Sequence, residues 1–127
     1  MIFELGTASM SKLVGVHTKL QAVIKLAITL TPIDFCVTEG LRTYKRQKML
    51  FAAGASKTMN SRHLTGHAVD LAALLDGEIH WDWPLYYKLA DAVKAAATSL
   101  KTPIEWGGDW ETFKDGPHFQ LPWSLDS

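Results

Sequence analysis

Ser61-Arg62-His63-Leu64-Thr65-Gly66-His67-Ala68-Val69-Asp70 is the stretch on which the reading of this chain turns. It brings two imidazoles and a carboxylate close together, interrupts them with a glycine, and runs on into the apolar Leu71-Ala72-Ala73-Leu74-Leu75. A loop over residues 55–62 is expected to lead into a strand over Gly66 to Leu75. Side chains alternate across a strand, so Gly66, Ala68 and Asp70 share one face, and His67, Val69 and Leu71 share the other. With a turn at Thr65-Gly66, a histidine at the loop end and an aspartate on the strand can converge.

A second cluster, Asp115-Gly116-Pro117-His118-Phe119, lies near the C-terminus. His63, Asp70 and His118 would form a His/Asp/His set that leaves a fourth position open, the arrangement of catalytic rather than structural zinc. Asp115, three residues before His118, could stand beside that position as a general base without binding the metal. His63 and His67 form a competing pair at helical spacing. Position 64 is leucine where helical zinc hydrolases carry glutamate, and Gly66 argues against a helix, so that pairing is set aside. Each histidine taken singly also reads as an ordinary packing residue, and the spacing alone leaves both readings open.

Outward from these clusters, Leu13, Val14, Val16, Leu20, Val23, Ile24, Ala27 and Leu30 recur at close to helical spacing. They predict one helix of about five turns, ending before Pro32, with His17 as a packing or surface residue. Ile33 to Leu41 reads as a strand on which Phe35, Val37 and Glu39 oppose Cys36 and Thr38. Thr43 to Ala53 reads as a polar helix capped by Thr43 and closed by Gly54. Trp81-Asp82-Trp83-Pro84 follows an Asp76-Gly77 turn and starts a helix that runs to about Leu100. Short strands are expected at Pro103 to Trp106 and Pro117 to Leu121, with Gly107-Gly108 a turn. Strands and helices mix without βαβ alternation, which predicts an α+β fold, a small mostly antiparallel sheet packed with helices.

Arg42 follows Gly40 at the end of a buried strand. Its guanidinium could bind a substrate carboxylate or stabilise an oxyanion, the alternative being a surface salt bridge. Arg46 and Arg62 read as surface charges. Cys36, the single cysteine, excludes an intramolecular disulfide and sits in an apolar strand where a thiol is inert packing. The five tryptophans read as core or cleft wall.

The 127 residues suit one domain, 1–127, of ordinary globular composition, 47% hydrophobic and 20% charged. With a formal net charge of zero, nothing points to nucleic acid. The Leu13 to Leu30 segment carries His17, Lys19, Gln21 and Lys25, so it is not expected to span a membrane. Met1-Ile2-Phe3-Glu4 lacks the basic start of a signal peptide, which leads us to expect synthesis in the cytoplasm with no export signal.

Taken together, the pieces resemble the M15 family of zinc peptidases, the group of D-Ala-D-Ala carboxypeptidases and phage endolysins. Ser61, His63, Gly66, Ala68 and Asp70 match its S-x-H-x-x-G-x-A-x-D motif at every fixed position. Phe35 to Arg42 looks like its strand ending in Gly-x-Arg. Trp106-Gly107-Gly108-Asp109-Trp110 and Asp115-x-x-His118-Phe119 look like its closing signature. The resemblance implies the hedgehog/D-Ala-D-Ala peptidase-like fold with Zn2+ on the sheet, bound by His63, Asp70 and His118. It also implies Asp115 as general base and Arg42 as the group that polarises the scissile carbonyl or binds substrate, and gives His67 no role. Aspartate at 115, where many members have glutamate, resembles the L-alanyl-D-glutamate endopeptidase branch. The implied substrate is the peptidoglycan stem peptide, cleaved by a monomeric phage or prophage endolysin that waits in the cytoplasm and reaches the wall at lysis. The alternatives are a D-Ala-D-Ala carboxypeptidase or dipeptidase of wall metabolism and a non-catalytic, zinc-stabilised binding domain.

Overall fold

The computed structural model describes residues 2–56 and 58–123. Four helices, α1 (Thr7–Lys12), α2 (Thr18–Leu30), α3 (Tyr44–Ala52) and α4 (Trp83–Ser99), accompany five strands. The strands are β1 (Asp34–Glu39), β2 (Ala68–Leu75), β3 (Glu78–His80), β4 (Glu105–Trp106) and β5 (His118–Gln120). All pairings are antiparallel, in the order β1-β2-β5-β4, with β3 beside the far end of β2. The expected α+β class and its small antiparallel sheet are therefore observed.

The apolar residues sort by strand alternation. Val69, Leu71 and Ala73 of β2, Phe35 and Val37 of β1 and Phe119 of β5 join one buried core. The opposite wall of that core is Leu20, Val23, Ile24 and Ala27 of α2 with Leu89, Val93 and Ala96 of α4. Each fully buried Phe or Leu side chain contributes about 1.5–3 kcal/mol through the water it gives up. The other face of the sheet is left for polar residues, and there Asp70 and His118 stand directly opposite each other across β2 and β5.

Three expectations need correction. The helix expected from Leu13 begins only at Thr18: residues 13–17 are instead a break between α1 and α2, where Gly15 adopts a positive φ of 86°. The periodicity carried across the break because Leu13 and Val16 are buried in the connecting turn. His17 is accordingly the N-cap of α2, its Nδ1 accepting the Lys19 N–H at 3.1 Å.

Glu39 does not stay on the face of Phe35 and Val37. Val37 pairs with Leu71, yet Glu39 pairs with Asp70, so two residues of β1 oppose one of β2. This bulge turns Glu39 onto the polar face. Finally, the Asp76-Gly77 turn closes a hairpin whose second strand, β3, has too few residues to show a period. The caps hold: Thr43 Oγ1 accepts the Arg46 N–H at 3.1 Å, and Gly54 takes the left-handed position after α3.

Candidate metal centre and catalytic cleft

The bulge and the register put Glu39, Asp70 and His118 in one row across three strands. His63 joins them from a single turn of 3-10 helix, Arg62–Thr65, capped by the Ser61 side chain. Its backbone is tied to the other wall of the site, since Arg42 N–H donates to the His63 carbonyl at 2.8 Å. The ring is fixed by Gly40, whose carbonyl lies 2.8 Å from His63 Nδ1. Only glycine fits there: a Cβ at position 40 would collide with the Lys12 carbonyl oxygen.

One atom of His63, Asp70 and His118 each can be chosen so that all lie within 4.8 Å of one another. His63 Nε2 is 3.3 Å and His118 Nδ1 3.2 Å from the same Asp70 Oδ1. The outer nitrogens explain why these atoms would welcome a cation. His63 Nδ1 faces a carbonyl, so it carries the proton of a neutral ring. His118 Nε2 faces Gln120 Oε1 at 2.8 Å, and Gln120 is oriented by donating its own Nε2 to Glu105 at 3.4 Å. With both ring protons turned outward, two imidazole lone pairs and a carboxylate oxygen point at one spot. That donor set is disfavoured unless a cation or an added proton sits among them, and outer hydrogen bonds of this kind are what orient histidine ligands.

The electrostatics agree. Burial pushes the Asp70 carboxyl up, but His118 and His63 outweigh it and hold the group well below the usual carboxylate range. For His118 burial pushes down, and the bond to Asp70 more than reverses it, so the imidazole is raised. Asp70 therefore stays ionised and His118 favours its charged form beside it, so the site accommodates positive charge.

Arg42 is buried rather than a surface salt bridge. Its Nε and Nη2 grip both oxygens of Glu39 at 2.7 and 2.8 Å, and its Nη1 donates to Gln47 Oε1 at 2.6 Å. Gln47 is fully buried and anchored in turn on Ser56 Oγ and the Thr58 carbonyl. Arg42 Nη2 also lies 3.8 Å from Asp70 Oδ2. Arg62 likewise departs from the expected surface charge. It is buried, donates to the Leu121 and Pro122 carbonyls, and lies over the Trp123 ring.

Asp115 reaches the same cleft from the loop before β5, held by its backbone: its N–H donates to Gly107 and its carbonyl accepts from His118. Desolvation in the cleft, then the Asp70 charge, raises its carboxyl above the ordinary value. The cleft encloses about 790 Å³, with Arg42, His63, Asp70, Asp115 and His118 among its lining. The five proposed site residues are thus brought together. Cys36 stays outside it, its thiol pushed up by burial, in keeping with inert packing.

Sequence reasoning missed Glu39, Gln47, Gln120 and Glu105. Gln120 had a signal: it lies two residues past His118, on the same strand face, between the buried Phe119 and Leu121. Glu39 was hidden by the bulge, and Gln47 by a polar helix that gave no reason to bury it.

Comparison with known proteins bears on what this cleft is. Residues 1–121 match the family model for the phage L-alanyl-D-glutamate peptidase. The L-alanyl-D-glutamate peptidase of Escherichia phage T5 is 32% identical over 119 residues, 91% of this chain and 87% of that protein. The crystal structure of the Serratia marcescens L-Ala D-Glu endopeptidase ChiX is similar with a TM-score of 0.88 and 49% identity, covering 93% of this chain and 90% of that one. The vancomycin-resistance D,D-dipeptidase VanXYg, solved with a D-Ala-D-Ala phosphinate analogue, shares the fold at a TM-score of 0.57 and 18% identity, over 84% of this chain and 50% of that one. A match that runs through the His63, Asp70 and His118 cluster and both walls of the cleft places this chain in the phage L-alanyl-D-glutamate peptidase family.

Proposed function

We propose that the chain is a zinc-dependent peptidoglycan endopeptidase that cleaves the stem peptide between L-alanine and D-glutamate, in the manner of a phage or prophage endolysin. In this reading residues 1–127 act as one catalytic unit and as a monomer, made in the cytoplasm and released to the wall. The observation that carries it is the convergence of His63 Nε2, Asp70 Oδ1 and His118 Nδ1, with both ring protons turned away. The family match supplies the bond.

His63, Asp70 and His118 would hold the zinc. Zinc bound there supplies positive charge that acidifies water and polarises a carbonyl. Asp115 takes a proton from the attacking water and returns it to the leaving amine of D-glutamate. Its raised carboxyl suits this work, because a base whose pKa lies nearer the operating pH transfers protons in both directions more readily. Arg42 is locked by Glu39 and Gln47, yet two of its five N–H donors remain. Those donors and its fixed charge are available to the oxygen of the scissile carbonyl, where charge develops.

The test is to digest purified peptidoglycan and map the new termini. Free L-alanine carboxyl and D-glutamate amino ends are expected, and release of D-alanine alone would replace this reading with the carboxypeptidase one. In parallel, Asp115→Asn should keep its zinc and lose on the order of 10²–10⁴ in rate, the usual share of a general base. Near-normal hydrolysis by that variant would remove Asp115 from the mechanism.

A further inference from the structure

A second, smaller cavity of about 200 Å³ opens beside the catalytic cleft. Lys114 and Asp115 line both, so the two adjoin at the proposed base. The rest of its wall is aromatic: Trp81, Trp83 and Tyr86, over a floor of Gly116 and Pro117. Trp81 is 57% exposed and Trp83 42% exposed, a large apolar area to leave wet next to a reaction centre.

These rings are held in place. The Tyr86 hydroxyl accepts from Ala73 N–H at 3.3 Å and donates to the His80 carbonyl at 3.2 Å. Trp81 lies parallel to Tyr86 within 3°, ring centres 6.1 Å apart. Trp83 is propped by Trp106 and Tyr87, at 6.3 and 6.1 Å. Any side chain at position 116 would begin 3.3–3.4 Å from the Trp83 ring and grow into the cavity, and glycine keeps it open.

We infer that this aromatic recess is a carbohydrate subsite that takes the N-acetylated sugar to which the stem peptide is attached. The inference rests on the peptidase reading of the adjoining cleft. In peptidoglycan the L-alanine amine is acylated by the lactyl ether of an N-acetylated amino sugar. A sugar therefore lies one short spacer from the scissile carbonyl, within reach of a cavity that shares a wall with the base. The apolar C–H face of a pyranose suits an indole face, and the Lys114 ammonium can donate to its acetamido oxygen or hydroxyls. The enzyme would thereby prefer stem peptides still joined to glycan over free peptides.

The experiment compares kcat/KM for a disaccharide-linked stem peptide and for the same peptide with an N-acetyl group in place of the sugar. Wild-type enzyme should favour the sugar-linked substrate. Trp81→Ala, a change at the surface, should lower kcat/KM for that substrate about 3- to 10-fold, the usual worth of one ring contact, and leave the N-acetyl peptide unchanged. Trp81→Phe should recover most of the loss, and a loss confined to the sugar-linked substrate is what a merely structural role would not produce. The peptide-free disaccharide should also inhibit wild-type enzyme competitively, a measurement independent of any variant. Equal rates on both substrates, or equal losses on both in Trp81→Ala, would overturn the subsite while leaving the peptidase reading intact. Wild-type enzyme that cleaves neither substrate would overturn both.

Discussion

The molecule contains two histidine pairs at nearly the same ring separation, and they differ in almost everything else. His63 and His118 lie 5.1 Å apart, and His17 and His67 lie 5.2 Å apart. Between the first pair stands Asp70, hydrogen-bonded to both. In the second, each Nδ1 is spent locally: His17 caps α2 through Lys19, and His67 meets Thr65 Oγ1 at 2.7 Å. Neighbouring charge is opposite as well. The Asp70 carboxylate raises His118, whereas burial and then Arg62 and His17 lower His67. Proximity of imidazoles does not make a metal site; a shared carboxylate and outward-turned ring protons do.

Asp70 is the residue whose loss should erase the difference between the two pairs most completely. Asp70→Ala leaves His63 and His118 as a pair without a carboxylate, the condition of His17 and His67. Zinc content should fall with activity, and the rate loss should exceed the ~10²–10⁴ that a missing general base costs. Retention of zinc, read by elemental analysis of the purified variant, would show that the two histidines suffice.

A gentler cut leaves all three proposed ligands in place. Gln120→Leu removes the acceptor that turns the His118 ring proton outward, freeing the ring to put its proton on the inner nitrogen. Zinc affinity should drop about 10- to 100-fold, as is usual for loss of a partner that orients a ligand. Competition against a zinc-sensitive dye reads this directly, and wild-type affinity would mean that the Gln120 bond orients nothing.

The smallest effect belongs to the other pair. His67 is held below its ordinary value of 6.5, so the folded chain binds its proton less readily than the unfolded chain. Its contribution to stability is complete above the unfolded value and is lost as pH falls through the lower folded one. His67→Gln should therefore flatten the fall in thermal stability below about pH 6.5 and leave zinc content untouched. Unfolding curves across that range measure it, and a change in zinc content would place His67 in the metal site after all.

Much of this contrast could be read from the sequence. Asp70 and His118 came from motifs short enough to stay in register, and strand alternation put Asp70 opposite Val69 and Leu71 as the core requires. What escaped depended on long-range geometry. Glu39 reached Arg42 through a bulge that no period-two pattern can show. The break at Gly15 was masked because both sides of it are apolar. The orientation of His118 is set by Gln120 and Glu105 from two different strands, a pairing fixed by register alone. His17 and His67, fifty residues apart in the chain, meet because Gly66 accepts the His17 N–H.

Crystals of the zinc-loaded protein, measured at the zinc absorption edge, would locate the ion itself. One anomalous peak per chain is expected, about 2.0–2.2 Å from His63 Nε2, an Asp70 oxygen and His118 Nδ1, with Asp115 outside bonding distance. A peak between His17 and His67, bonding through the opposite ring nitrogens, or Asp115 in place of Asp70 would contradict that ligand set.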